Sequence, residues 1–212
     1  MTGSSDRDAH LDGVYSAKAD VETSGYQEEP ADSLAALDAL GVTTADAVVD
    51  VGGGASRLVG ALLERGHDDV TVLDMSRQAL EHSRARLGRA GSTVGWVHHD
   101  VTTWRPSRTY AAWHDCAVFH LLTEADDREA YHGTLRATLQ PGGALVVATF
   151  GEDGPEESSG LPVVRYSPDA LAEELGDDVE IIGSRVSVHT TPSGTAQPFT
   201  WVWGRLVHGS AG

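Results

Sequence analysis

Past Gly41 the hydrophobic positions of the chain fall into two alternating patterns. Short apolar, Val-rich runs stand at Ala47 to Val51, Val70 to Leu73, Val94 to His98 and Ala111 to Phe119, and "ALVVATF", Ala144 to Phe150, is nearly all apolar. Between them apolar residues recur at helical spacing. Leu58, Val59, Leu62 and Leu63 paint one face of a helix over Ser56 to Arg65. Further helices are predicted from Arg77 to Leu87 and, opening on a capping box of Thr123 with Asp126, as far as Gln140, where Pro-Gly-Gly supplies a stop. Strands alternating with helices are the pattern of a mostly parallel sheet with helices on both faces. A run as apolar as Ala144 to Phe150 suits a central strand covered on both sides.

Beyond Phe150 the character changes. "GEDGPEESSG" is acidic and rich in Gly, Pro and Ser, which predicts a mobile surface loop. Ser167 followed by Pro168 is an N-cap with Pro at the first helical position, so a short helix is predicted from Pro168 to Leu175. Val179 to Val188 and Phe199 to Val207 then form two directly connected, hence antiparallel, strands. The period of two puts Phe199, Trp201 and Trp203 on one face, where core packing explains them. The predicted fold is α/β: a seven-stranded, mostly parallel sheet with a C-terminal antiparallel hairpin and helices on both faces.

Composition narrows the partners. With 212 residues, 40% of them hydrophobic, the chain can bury the core of one domain. A formal charge of −17 opposes a phosphate backbone, so nucleic acid is not an expected partner. The lone Cys116 excludes an internal disulfide and a Cys-rich zinc site, and the ten histidines show no helical metal-ligand spacing, so no metal is expected. The first residues lack the basic and apolar regions of a signal peptide, and no apolar run reaches the roughly 18 residues of a membrane span. A cytoplasmic protein without membrane partners, monomeric or homodimeric, is the expectation.

The densest chemistry lies in "VVDVGGGASRLVGALLERG". Asp50-x-Gly52-x-Gly54 leaves a strand and enters a helix, a turn that lets a ligand approach bare backbone near a helix N-terminus. A dinucleotide fingerprint would need a third glycine where Arg57 stands, and Asp50 would repel a pyrophosphate while favouring a cation. Together with Asp74 ending "VTVLDMS", Asp100 in "WVHHDV" and the turn in "LQPGGALVVATF", these residues resemble the class I S-adenosylmethionine-dependent methyltransferases. That resemblance implies a Rossmann-like fold and S-adenosylmethionine as cofactor, with S-adenosylhomocysteine as product. It implies a site in which Asp50 meets the ammonium beside Gly52, Gly53, Gly54 and Ser56, Asp74 and Met75 meet the ribose, and Asp100 and Val101 meet the adenine. Each acid also has a plainer use, Asp74 as a helix cap and Asp100 as a strand terminator.

The acceptor is expected outside the carboxyl ends of the strands, facing "WHDCAVFHLL". There His114 or His120 is a candidate proton acceptor, Asp115 would orient an imidazole and Trp113 would pack on the adenosine; the alternative is a site without a base. The resemblance implies that an N-terminal segment over residues 1–40 acts with the Gly151 to Gly160 loop as a lid on a domain spanning 41–208, with Tyr26 on the cofactor and Tyr15 and Gln27 toward the substrate; the alternative is an amphipathic covering helix. Arg165, Tyr166, His189 and Gln197 are the remaining candidates for substrate contact. The expected activity is methyl transfer by in-line displacement to a small thiol, amine or hydroxyl. Related sequences with a similar "WHD" and "AVFH" stretch also resemble protein-lysine methyltransferases, which is the first alternative. A nicotinamide-dependent oxidoreductase or a noncatalytic S-adenosylmethionine-binding protein are the others.

Overall fold

The computed structural model describes residues 10, 12, 13, 30–191 and 194–207. In chain order the elements are α1 (Ala31–Ala39), β1 (Val48–Val51), α2 (Leu58–Glu64), β2 (Val70–Asp74), α3 (Arg77–Leu87), β3 (Gly95–His98), β4 (Tyr110–Cys116) and α4 (Ala125–Thr138). They continue with β5 (Leu139–Phe150), a small ribbon of β6 (Glu157–Ser158) and β7 (Leu161–Pro162), α5 (Pro168–Leu175), β8 (Val179–Thr190) and β9 (Ala196–Leu206).

Seven strands form one sheet in the order β3-β2-β1-β4-β5-β9-β8. The first five are parallel, and β9 runs antiparallel between β5 and β8. Because strand side chains alternate, the apolar runs feed two cores. Val49, Val51, Trp113, Leu145, Val147 and Val202 face α4 and α5 through Tyr131, Leu135, Leu171 and Leu175. Val48, Val72, Ala112, Val146, Phe199 and Trp201 face α1, α2 and α3 through Leu37, Leu58, Leu62 and Leu80. Trp203 packs partly buried on the same face as Phe199 and Trp201, as the period of two requires.

Local chemistry sets the helix starts where its signal is strong. Ser76 accepts the Ala79 N–H and Ser167 the Ala170 N–H, so α3 and α5 begin where their caps stand. Elsewhere tertiary pairing moved the boundary. Strand β4 stops at Cys116 instead of Phe119, because Ala117 turns to φ 71° and Phe119–Leu121 closes a 3₁₀ turn. Helix α4 has Glu124 at its N-cap with no side-chain cap bond, so the Thr123 capping box does not form. It also ends early, at Thr138, and Leu139 already pairs with Tyr110. The pairing then jumps to Ala112 with Ala144, and Pro141, Gly142 and Gly143 bulge out of a strand that had been expected to start after them.

The acidic segment after β5 is folded, not a featureless loop. Ribbon β6–β7 turns through Ser159 at φ 53° and Gly160 at φ 77°. The Arg165 guanidinium ties it down by donating to the Gly154 carbonyl and Glu156. Helix α1, placed by sequence in the lid segment, belongs to the core: Ala36, Leu37 and Leu40 are buried with α2 against the sheet.

Candidate active site

Three acids stand at or just beyond the carboxyl ends of adjacent strands. Gly52, with φ 69°, sits in the left-handed region, and its N–H donates to the Leu73 carbonyl at 2.7 Å, turning the chain sharply off β1. A side chain on Gly52 would collide with Val118 from the β4 loop, and one on Gly53 would collide with the Asp50 carboxylate. Asp50 is 1% exposed; Oδ1 binds His114, whereas Oδ2, buried against Gly53, has no hydrogen-bond partner. A buried carboxylate oxygen without a donor is costly. Beside the glycine turn it is a candidate acceptor for a ligand's N–H or ammonium.

Asp74, buried at the end of β2, accepts the Gly54 N–H on Oδ2 at 2.9 Å and the Ser76 N–H on Oδ1 at 2.7 Å. Burial raises its carboxyl to about 6 despite these bonds, with the neighbouring Asp50 charge adding to the rise. Each oxygen keeps acceptor capacity for a ligand hydroxyl. Asp74 therefore shapes the turn while keeping that capacity. Asp100 forms an Asx turn, its Oδ1 accepting the N–H and hydroxyl of Thr102. Around them, Met75 accepts the His98 Nε2–H through its carbonyl, Ser56 accepts the Leu58 N–H at the start of α2, and Val101 is buried in the core.

The cluster read as "WHDCAVFHLL" is divided by the sheet. Trp113 and Asp115 point to one face and His114 to the other. Trp113 is wholly buried and donates its indole N–H to Tyr131 Oη at 2.9 Å, so it packs in the core instead of on an adenosine. Asp115, 0% exposed, accepts the Tyr131 hydroxyl on Oδ2 at 2.8 Å and the Val118 and Phe119 N–H groups on Oδ1. It orients no imidazole. Its carboxyl is raised to about 6 by burial, and burial pushes the Tyr131 phenol well above its usual value.

Neither histidine is placed as a base. His114 has both ring nitrogens engaged, Nδ1 with Asp50 Oδ1 at 2.7 Å and Nε2 with Ser33 Oγ at 3.0 Å. His120 Nδ1 accepts the Phe150 N–H at 3.0 Å, and burial pushes the imidazole down to about 3. It is therefore neutral at neutral pH with its proton on Nε2, and its only acceptor nitrogen is occupied.

Of the expected substrate residues, Arg165 anchors the ribbon and Tyr166 packs on Phe119 in the core beneath α5, its phenol raised to about 12 by burial. His189 and Gln197 pair across β8 and β9; Gln197 is buried with Oε1 unpartnered, and the His189 ring lies 6.5 Å from Phe199. Tyr15, Tyr26 and Gln27 lie outside the described residues. Three participants carried no sequence motif: Ser33, Tyr131 and Asp12. Asp12 accepts the Ser76 hydroxyl and the Gln78 N–H, bringing an N-terminal residue to the start of α3, and His10 Nε2 lies 2.8 Å from the Ser159 carbonyl. Among the described residues no group of three or more His, Cys, Asp or Glu forms a metal site, and no helix is long and apolar enough to cross a membrane.

Residues 48–143, the stretch holding all three acids, match the family model of a methyltransferase domain. The chain is 32% identical over 177 residues to the 23S rRNA (guanine(748)-N(1))-methyltransferase of Streptomyces fradiae, covering 80% of this chain and 59% of that protein. The chain thus spans about three fifths of the length of the curated relative it matches. Its fold is similar to that of 1,6-didemethyltoxoflavin-N1-methyltransferase from Burkholderia thailandensis, solved with bound 1,6-didemethyltoxoflavin and S-adenosylhomocysteine (TM-score 0.69, 19% identity, 98% of this chain and 92% of that one). It is similar also to a structure reported under "Conversion of a Disulfide Bond into a Thioacetal Group during Echinomycin Biosynthesis" (TM-score 0.74, 19% identity, 97% and 94%). At those identities the likeness is one of fold. Sheet order, glycine turn and domain match agree: residues 48–143 are a methyltransferase domain, and the chain is similar to the class I S-adenosylmethionine-dependent methyltransferases.

Proposed function

We propose that this chain methylates a small molecule bearing a nucleophilic nitrogen or sulfur. The observation that carries the cofactor side of this reading is Asp50 Oδ2, buried, unpartnered and packed against Gly53, whose missing side chain makes room for the carboxylate. When bound, S-adenosylmethionine supplies an electrophilic methyl group on a sulfonium. In this reading Asp50 holds its ammonium, Asp74 its ribose hydroxyls and Asp100 the adenine edge. The bare turn from Gly52 to Gly54 lets the amino-acid moiety lie on the backbone.

The acceptor side follows from what the nearby groups can do. His114, Asp115 and His120 are all committed to internal hydrogen bonds. Among the described residues these three are not placed for proton abstraction, and a contribution of positioning and exclusion of water suits in-line transfer. Such a site favours an acceptor with a lone pair available near neutral pH, an aromatic ring nitrogen or a readily ionised thiol, over an alcohol or an alkylammonium that must first lose a proton. An RNA base is the second reading, favoured by the Streptomyces relative; the charge of −17 opposes it.

The test is transfer of labelled methyl from S-adenosylmethionine to three panels: small nitrogen, sulfur and oxygen nucleophiles, undermodified ribosomal RNA, and lysine-containing peptides. Turnover confined to small nitrogen or sulfur nucleophiles is the expected result. Turnover on RNA or peptide alone would replace the acceptor assignment.

A further inference from the structure

We infer that His114 and Ser33 are positioning residues for cofactor capture, holding the Asp50 carboxylate so that Oδ2 meets the ammonium; this rests on the assignment of Asp50 to that group. A carboxylate can only accept, so the 2.7 Å contact with Asp50 Oδ1 requires the hydrogen on His114 Nδ1. In the neutral ring Nε2 is then an acceptor, and the Ser33 hydroxyl 3.0 Å away is its donor. Ser33 is itself buried, as is His114, so water does not compete for either bond. One tautomer satisfies every polar atom of the relay except Asp50 Oδ2, which is left unpartnered beside Gly53.

The relay is braced at both ends. His114 is held by the sheet, where Asp50 and His114 are register partners on adjacent parallel strands. Ser33 is held by α1, whose first turn is pinned through Asp32 to Arg185 and to the Ser187 hydroxyl on β8. Without the imidazole the carboxylate could rotate away from the ammonium. Its directional hold on Oδ1 thus confers preorganisation that Asp50 alone does not possess.

Two ligands separate this role from general support of the fold. S-adenosylhomocysteine carries the ammonium, whereas 5′-methylthioadenosine keeps adenosine and thioether but lacks the amino-acid moiety. By calorimetric titration, His114→Phe is expected to weaken S-adenosylhomocysteine about tenfold, the scale of one lost hydrogen bond, and to leave methylthioadenosine unchanged. His114→Asn retains an N–H at the Nδ1 position and is expected to restore most of the affinity. Ser33→Ala, which keeps the imidazole and removes only its far anchor, gives a smaller loss of the same selectivity and serves if His114→Phe does not fold. Equal weakening of both ligands, or no selective loss in either variant, overturns the inference. Asp50→Asn is the control for the assignment beneath it: if that change leaves the ratio of the two affinities as in the wild type, Asp50 does not hold the ammonium and the assignment itself has failed.

Discussion

Asp50 and Asp115 are buried carboxylates on neighbouring strands, one register step apart, and they are finished differently. Val51 pairs with Asp115 across β1 and β4, and Asp50 pairs with His114. Asp115 has both oxygens satisfied by two backbone N–H groups and a tyrosine hydroxyl, and points to the face covered by α4. Asp50 has one oxygen fixed by His114 and the other unpartnered, and points to the opposite face beside the glycine turn. A saturated buried acid stabilises a fold. A half-saturated one holds capacity in reserve for a ligand, which the folded chain alone does not use.

The sharpest way to test that contrast is to delete the saturated acid. Asp115→Ala leaves three donors without an acceptor, the Phe119 N–H and Tyr131 hydroxyl buried and the Val118 N–H part-buried, and should cost about 3 kcal/mol, at about 1 kcal/mol for each. For a chain of this size that is a fall in Tm of roughly 6 to 12 °C. Cofactor affinity of the molecules that remain folded should be unchanged. A thermal melt with a parallel titration measures both, and a loss of affinity without a loss of stability would erase the contrast.

Next in size is the pH dependence of the same residue. Asp115 and Asp74 are both raised from 3.8 to about 6, so the folded chain holds these protons more tightly than the unfolded one. Stability from this source is fully present below about pH 4 and is lost as the pH rises through about 6. A shift near two pH units corresponds to about 3 kcal/mol for each group as an upper bound. Asp115→Asn cannot titrate, so its destabilisation relative to the wild type should shrink between pH 4.5 and 7. Urea unfolding at the two pH values would show it; a penalty that grows with pH would mean Asp115 is preferentially ionised in the fold.

For the half-saturated acid the expectation inverts. Asp50→Asn can still accept from His114 and removes the charge facing the ligand, so stability should stay within about 1 kcal/mol while S-adenosylhomocysteine affinity falls by about 2 kcal/mol, some thirtyfold. Calorimetry and a melt on the same variant decide it. Loss of stability comparable to Asp115→Ala would make Asp50 a second structural acid.

What the sequence made legible follows the range of the forces involved. Helices α3 and α5 stand where read because Ser76 and Ser167 cap them within three residues, and the acids of the glycine turn were visible because β1, β2 and β3 each end on their own motif. The pairing of Asp50 with His114 spans 64 residues and arises only when β4 lies beside β1. Counting register from the strand ends offered a clue, since the fold places those strands together. Ser33 had no such signal, because nothing in "ADSLAALDA" marks one serine as the partner of a distant imidazole. The Thr123 capping box failed through competition: the turn at Phe119–Leu121 and the α4 packing put the N-cap at Glu124 and the helix start at Ala125.

Trp113 provides the finest test, because sequence and structure assign it to opposite sides of the comparison. Adjacent polar and aromatic letters invite grouping, yet the period of two sends Trp113 to the Asp115 side, where its N–H binds the same Tyr131 oxygen that donates to Asp115. Trp113→Phe keeps an aromatic ring edge-on to Tyr131, now 5.5 Å between centroids, and removes one hydrogen bond, a cost of about 1 kcal/mol plus whatever the smaller ring leaves unfilled. S-adenosylhomocysteine affinity should not move, since the indole has no exposed atom with which to reach the cleft. A fall in affinity with stability intact would place Trp113 on the cofactor after all, and would mean that β4 presents its other face to the site.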